Sequence, residues 1–97
     1  MTEEQAEAIA LSGLVWLCTQ DDLLGVFLSA SGAAAQDLYA ALSAADGPDR
    51  ALLTAALDFI TLRDDTVIAA AAAQSIPVER LAHAHAVLSG AGQMHWT

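Results

Sequence analysis

Two pairs of adjacent aspartates are the residues whose type and spacing first suggest chemistry. Asp21-Asp22 and Asp64-Asp65 each follow one apolar stretch and precede another. Hard cations such as Ca²⁺ need several oxygen ligands at defined spacing, which two neighbouring carboxylates alone do not supply. An aspartate at a helix N-cap accepts a hydrogen bond from a free backbone N–H of the first turn. We therefore interpret both pairs as helix caps rather than as metal ligands or acid–base carboxylates.

Two closely spaced histidines, His83 and His85, invite comparison with a zinc site. On a helix, residues two apart point about 200° apart, so they cannot hold one ion together. Metal-binding pairs on helices are spaced four apart. His85 falls on an apolar face, which predicts a hydrogen-bonded histidine in a core or interface. His95 would join a site only if the C-terminal tail folded back. We expect no metal and no cofactor.

Nucleophilic chemistry has little support in the sequence. Cys18 is the only cysteine, so the chain has no internal disulfide, and its position in an apolar helix without a nearby cation predicts a small core residue. The serines lie in no G-x-S-x-G elbow, and neither a P-loop nor a G-x-G-x-x-G motif is present. We expect a protein that is not an enzyme. A divergent enzyme is the alternative, and a polar cleft holding His85 or paired carboxylates would support it.

The charge excludes further classes of function. The formal net charge is −9, there is no lysine, and the only cations besides histidine are Arg50, Arg63 and Arg80. A nucleic-acid binder needs a basic surface, and anionic membranes also attract basic segments. The N-terminus is acidic, unlike a secretory signal, and the apolar run from Ala8 to Cys18 is far shorter than the ~20 residues that cross a bilayer. We expect a cytoplasmic protein.

The elements that position these residues are six short helices in one domain. Apolar residues recur at helical spacing, and alanine, the best helix former, is the commonest residue. Thr2 and Gln5 predict a capping box, Gly13 predicts close approach of a crossing helix, and Pro48 is placed in the first position of the fourth helix. We expect the domain to span residues 1–92 and a frayed tail to follow at 93–97. The predicted helices cover residues up to 19, 22–31, 34–45, 49–63, from the second aspartate pair to 74, and 77–89.

Each helix after the first is expected to turn a defined set of residues inward. Trp16, Phe27 and Phe59 are assigned to the core, and Tyr39 is placed at its edge with the hydroxyl in water. The inward stripes are Leu24, Phe27, Leu28 and Ser31; Leu38, Ala41, Leu42 and Ala45; Leu53, Leu57 and Ile60; Val67, Ile68, Ala71 and Ala72; and Val78, Leu81, His85 and Leu88.

A shift of 43 residues aligns the two halves of the chain. Leu14 then meets Leu57, Trp16 meets Phe59, and the first aspartate pair meets the second. This predicts two three-helix repeats. The alternative is six amphipathic helices that merely resemble each other. Since two units are too few for an open solenoid, we predict an all-α compact bundle with the first and fourth helices in the middle.

The segments ALSGLVWL, DDLLGVFLSASG and AALDFITLRDDTVIAAAAAQSIPVERL resemble a small bacterial family of all-helical proteins known only as a domain of unknown function. The resemblance covers about residues 4–90. It implies an all-helical domain of this length, with no assigned activity and no catalytic motif to transfer. The tail from Gln93 lies outside it.

The favoured function is a helical protein–protein interaction module that binds a protein partner or forms a homodimer. The first and fourth helices are apolar nearly all round, and an alanine-rich core gains from burial in an interface. The alternative is a binder of a small apolar ligand or an amphipathic peptide in a groove between helices.

Overall fold

The computed structural model describes residues 1–32 and 34–90, which form six α-helices and no strand, so the predicted all-α class is confirmed. The expected domain end at residue 92 and the tail 93–97 lie outside the described residues. The helices are α1 (Glu3–Cys18), α2 (Asp21–Ser31), α3 (Ala35–Ser43), α4 (Arg50–Ile60), α5 (Asp64–Gln74) and α6 (Val78–Ser89).

Helices α1 and α4 lie at the centre of the fold, because each packs against α2, α5 and α6 and the two pack against each other. Helix α3 is peripheral and buries only Leu38. Alanines in the core allow the helix axes to come close. The buried core consists of Ala6, Ile9, Ala10, Leu14, Leu17, Phe27, Leu38, Leu53, Ala56, Leu57, Ile60, Ala70, Leu81, Ala84 and Leu88.

The start of α1 confirms the predicted capping box. The backbone N–H of Gln5 donates to Thr2 Oγ1 at 3.1 Å, and the N–H of Thr2 donates to Gln5 Oε1 at 3.0 Å. The two side chains thereby satisfy two N–H groups that the helix itself leaves without acceptors.

The aspartate pairs begin helices but do not cap them, so this part of the sequence interpretation was wrong. The N-cap residues are Gln20 before α2 and Arg63 before α5, and neither side chain bonds the first turn. Asp21-Asp22 and Asp64-Asp65 occupy the first two helical positions instead. Their carboxylates stabilise each helix through the positive end of its dipole rather than through a cap hydrogen bond.

Helix α4 begins one position later than its sequence predicted. Pro48 lies before the helix rather than at its first position, and Asp49 is the N-cap. The reason is chemical: Asp49 Oδ1 accepts a hydrogen bond from the N–H of Leu52 at 2.9 Å, which proline cannot do. The helix ends at Ile60, short of the expected residue 63.

Several residues predicted to face inward are exposed, namely Ser31, Ala45, Ile68 and Ala72. The error is largest in α5, where the Ile68 side chain is 60% exposed. Nearly every residue of this helix is apolar and most are alanine, so the sequence offers no contrasting polar face from which to choose. The residues of α5 that are buried are Thr66, Ala70 and Ala71.

Gly13 is the point where α1 approaches α4 and α5, as its sequence position predicted. A Cβ atom on residue 13 would lie 3.1 Å from Cδ1 of Ile60 and 3.6 Å from Nε2 of Gln74. The residue is buried, so the missing side chain is what allows this packing.

Arg50 connects the starts of α1 and α4 with the end of α6. Its Nη1 donates to Glu3 Oε2 at 2.7 Å, while Nη2 donates to the carbonyl oxygens of Leu88 at 3.2 Å and Val87 at 3.3 Å. The last carbonyls of a helix lack partners within it, so the guanidinium both satisfies them and complements the negative helix end.

Within the described residues, no single helix has the length and apolarity to cross a bilayer; only α1 and α2 taken together reach those thresholds, and the chain bends by 116° between them.

Candidate functional site

An open groove of about 240 Å³ lies between α2 and α4, and we call it groove A. Phe27 and Phe59 form its aromatic part, with ring centroids 5.5 Å apart and planes at 61°. This edge-to-face pair is one of the favoured aromatic geometries. Phe27 is buried and Phe59 is half-buried, so only part of the pair is available to a ligand. Groove A is lined by Phe27, Ala30, Ser31, Ala55, Asp58, Phe59 and Leu62.

The rim of groove A combines an exposed apolar side chain with a carboxylate. The Leu62 side chain is 76% exposed, the highest value among the large apolar residues of the described chain that remain exposed. Asp58 is the charged residue of the lining and its side chain is 60% exposed. An apolar surface bordered by a single negative charge is suited to a ligand with an apolar body and a cationic end.

Asp58 also contacts His85, and this pair joins α4 to α6. His85 Nε2 lies 2.5 Å from Asp58 Oδ1. The pair confirms a hydrogen-bonded, partly buried histidine at position 85, since 29% of the His85 side chain is exposed. Sequence reasoning did not find the partner, which lies 27 residues away. The available signal was that Asp58 is the only carboxylate within the apolar α4.

Thr61 completes this cluster, and its geometry is that of a helix end. Its Oγ1 donates to the carbonyl oxygen of Leu57 at 2.7 Å and lies 3.5 Å from His85 Nδ1. Since a hydroxyl has one proton, the bond to Leu57 leaves Oγ1 to act as an acceptor toward the imidazole. In this arrangement His85 does not hold the hydroxyl proton as the general base of a nucleophile would.

A second open groove, groove B, lies between α1 and α5 and has a volume of about 540 Å³. Leu11 and Val15 stand on its α1 side, with 38% and 49% of their side chains exposed. Groove B is lined by Leu11, Ser12, Val15, Trp16, Thr19, Ala73 and Gln74.

Gln74 brings an unsatisfied polar atom to groove B. Its Nε2 is buried without a hydrogen-bond partner. A buried donor without an acceptor costs about 1–3 kcal/mol, so the folded chain retains a donor that an occupant's oxygen would satisfy. The close packing around Gly13 holds this amide in place.

The remaining candidate residues do not assemble into a reactive or metal-binding centre in the part of the chain that the structure describes. Cys18 packs against the core, and burial raises the pKa of its thiol, which lowers the fraction of reactive thiolate. His83 is exposed, and His95 lies outside the described residues. Among residues 1–32 and 34–90, no three histidine, cysteine or carboxylate side chains are grouped to hold a metal ion.

The fold and the grooves define a small six-helix all-α protein with two open, largely apolar surfaces between helices. The chain belongs to the family described as protein of unknown function (DUF3572), whose family model matches residues 3–91. The resemblance to an uncharacterised helical family is thereby confirmed. No match was found among curated proteins or among solved structures.

Proposed function

We propose that the protein is a non-catalytic helical interaction module, and that groove A binds an amphipathic helix of a basic partner protein. The observation that carries this proposal is the exposed Leu62 beside the Phe27–Phe59 pair, with Asp58 at the rim. Helix-in-groove recognition uses apolar anchors of this kind. The volume of about 240 Å³ is below the usual range for small-molecule sites, which favours a side-chain anchor over a whole ligand.

Charge complementarity supports a basic partner rather than a second copy of the chain. With a net charge of −9, two copies repel each other, whereas a lysine- or arginine-rich helix is attracted. Asp58 has two carboxylate oxygens, and His85 contacts Oδ1. A cation on the bound helix is therefore proposed to contact the same carboxylate at the rim.

The test uses two labelled peptides of about 16 residues, long enough to form a helix on binding, with leucine at positions i, i+3, i+4 and i+7. One carries lysine on its polar face and the other carries glutamate. Fluorescence anisotropy is expected to show tighter binding of the lysine peptide and weaker binding at higher salt. Asp58→Asn is expected to reduce the affinity by up to about fivefold, as for an exposed ion pair of about 1 kcal/mol.

Leu62→Ser and Ile68→Ser form a matched pair of variants. Both residues are exposed, at 76% and 60%, but Ile68 lines neither groove. Leu62→Ser is expected to weaken the lysine peptide about tenfold, corresponding to about 1.4 kcal/mol of lost apolar burial, while Ile68→Ser leaves the affinity unchanged. Equal effects of the two variants contradict the proposal. A homodimer that forms without peptide and dissociates on Leu62→Ser also contradicts it, because the occupant would then be a second copy.

We further propose that the two halves of the chain are copies of one three-helix unit. Four described residues have positive φ, at +76° for Gly32, +58° for Ser75, +73° for Gly47 and +78° for Gly90. They form two pairs, each separated by 43 residues. Ser75 supports the proposal most, because a left-handed backbone is uncommon for a residue other than glycine, yet it occurs at the position equivalent to Gly32. Helices α2 and α5 also share an aspartate-pair start and a length of 11 residues.

A further inference from the structure

The two grooves correspond under the same 43-residue shift. Groove A is formed by the second helix of the first half and the first helix of the second half, and groove B by the reverse combination. This reciprocal exchange is the relation between the two equivalent contacts of a two-fold symmetric dimer, here within one chain. Residues Ala30, Ser31, Ala55, Asp58, Phe59 and Leu62 of groove A correspond to Ala73, Gln74, Ser12, Val15, Trp16 and Thr19, all of which line groove B.

The chemistry of the two grooves differs at the corresponding positions. Val15 stands in groove B where Asp58 stands in groove A, so the negative charge at that position of the rim is absent. Gln74 replaces Ser31 and contributes the buried Nε2 without an acceptor. The aromatic position is retained as Trp16. Groove B therefore keeps an apolar surface but offers a neutral donor in place of a carboxylate.

We propose that groove B is a second docking site, specific for an uncharged amphipathic helix whose apolar stripe carries one hydrogen-bond acceptor such as glutamine. The inference rests on the proposed function of groove A, because both grooves use the same helix geometry. Charge complementarity identifies the occupant: Asp58 in groove A selects a cation, whereas Val15 in groove B does not, and the amide of Gln74 needs an oxygen. One chain then binds two helices of different chemistry.

The experiment reads each groove with a single tryptophan. The sequence has two tryptophans, so Trp96→Phe leaves Trp16 as the only indole, and it reports on groove B. Phe59→Trp, combined with Trp16→Phe and Trp96→Phe, reports on groove A from the corresponding position. The probes are the lysine peptide described above and a matched peptide with glutamine on its polar face. We expect the glutamine peptide to change the emission of Trp16 and the lysine peptide to change that of the tryptophan at position 59.

Val15→Asp converts the rim of groove B to that of groove A and is the decisive variant. Val15 is 49% exposed, and circular dichroism will confirm that the variant is folded. We expect its groove B to lose about tenfold in affinity for the glutamine peptide and to gain about tenfold for the lysine peptide. Leu11→Ser, at a second groove B residue, is expected to weaken the glutamine peptide without changing lysine-peptide binding in groove A.

The outcomes separate the two proposals. Binding of the lysine peptide at groove A, with one helix per chain and no response of Trp16 to either peptide, overturns the inference about groove B alone. Unchanged peptide preference in folded Val15→Asp does the same. Failure of both peptides at both grooves overturns the function proposed for groove A as well.

Discussion

Replacing Gly13 by alanine measures how closely α1 packs on its neighbours. In the interior of a helix, this replacement alone stabilises a protein by about 1 kcal/mol because alanine loses less backbone entropy. At position 13, however, the new Cβ lies 3.1 Å from Cδ1 of Ile60, a fully buried side chain. Overpacking of a core costs about 1–3 kcal/mol. We therefore expect Gly13→Ala to lower the free energy of unfolding by about 0–2 kcal/mol.

Gly25→Ala is the matched control, because Gly25 lies within α2, is exposed, and has no atom within 4 Å of a new Cβ. This variant is expected to be more stable than wild type by about 0.5–1 kcal/mol. Guanidinium unfolding followed by circular dichroism gives both values. The difference between the two variants is the packing cost at Gly13, which we expect to be at least about 1 kcal/mol.

Ile60→Val tests the assigned cause, because it removes the Cδ1 atom that the new methyl group meets. Alone it is expected to cost about 0.5–1.5 kcal/mol. In the Ile60→Val background, Gly13→Ala is expected to become stabilising, so the double-mutant cycle shows a favourable coupling. If Gly13→Ala stabilises the wild-type protein as much as Gly25→Ala does, or if the coupling is zero, the close approach at Gly13 is refuted.

Three other perturbations have expected outcomes. Phe27→Ala removes a side chain that is 1% exposed and should cost about 3–5 kcal/mol in chemical denaturation, a large part of the stability of a domain this small; a cost below about 1 kcal/mol would contradict its core position. Arg50→Ala removes hydrogen bonds to the carbonyls of Val87 and Leu88 and should cost about 1 kcal/mol, with faster amide exchange at the end of α6 than elsewhere as the specific readout. Iodoacetamide should modify Cys18 more slowly in the folded protein than in guanidinium, since burial raises the pKa of the thiol and keeps it protonated; equal rates followed by mass spectrometry would refute this.

The arrangement of the candidate site was less predictable than the helices around it. The apolar character of His85's face predicted a hydrogen-bonded histidine, but the pairing with Asp58 depends on how α4 and α6 cross. The aspartate pairs marked helix starts correctly, while their assignment as caps failed because Gln20 and Arg63 occupy the N-cap positions. Local sequence records helix propensity well, since the relevant interactions lie within one turn, but it does not record which one of several adjacent polar residues has extended backbone.

The sequence by itself determined the helical class, the order of six helices, the close approach at Gly13 and the family. These follow from alanine content, apolar periodicity and Gly or Pro breaks, all of which act over short distances along the chain. Only the tertiary structure decided which face of α5 is buried, that Asp58 meets His85, and that α2 with α4 and α5 with α1 form corresponding grooves. The physical reason is that an alanine-rich helix has no strongly preferred face, so side-chain fit between distant segments fixes its orientation and thereby the surfaces left open for partners.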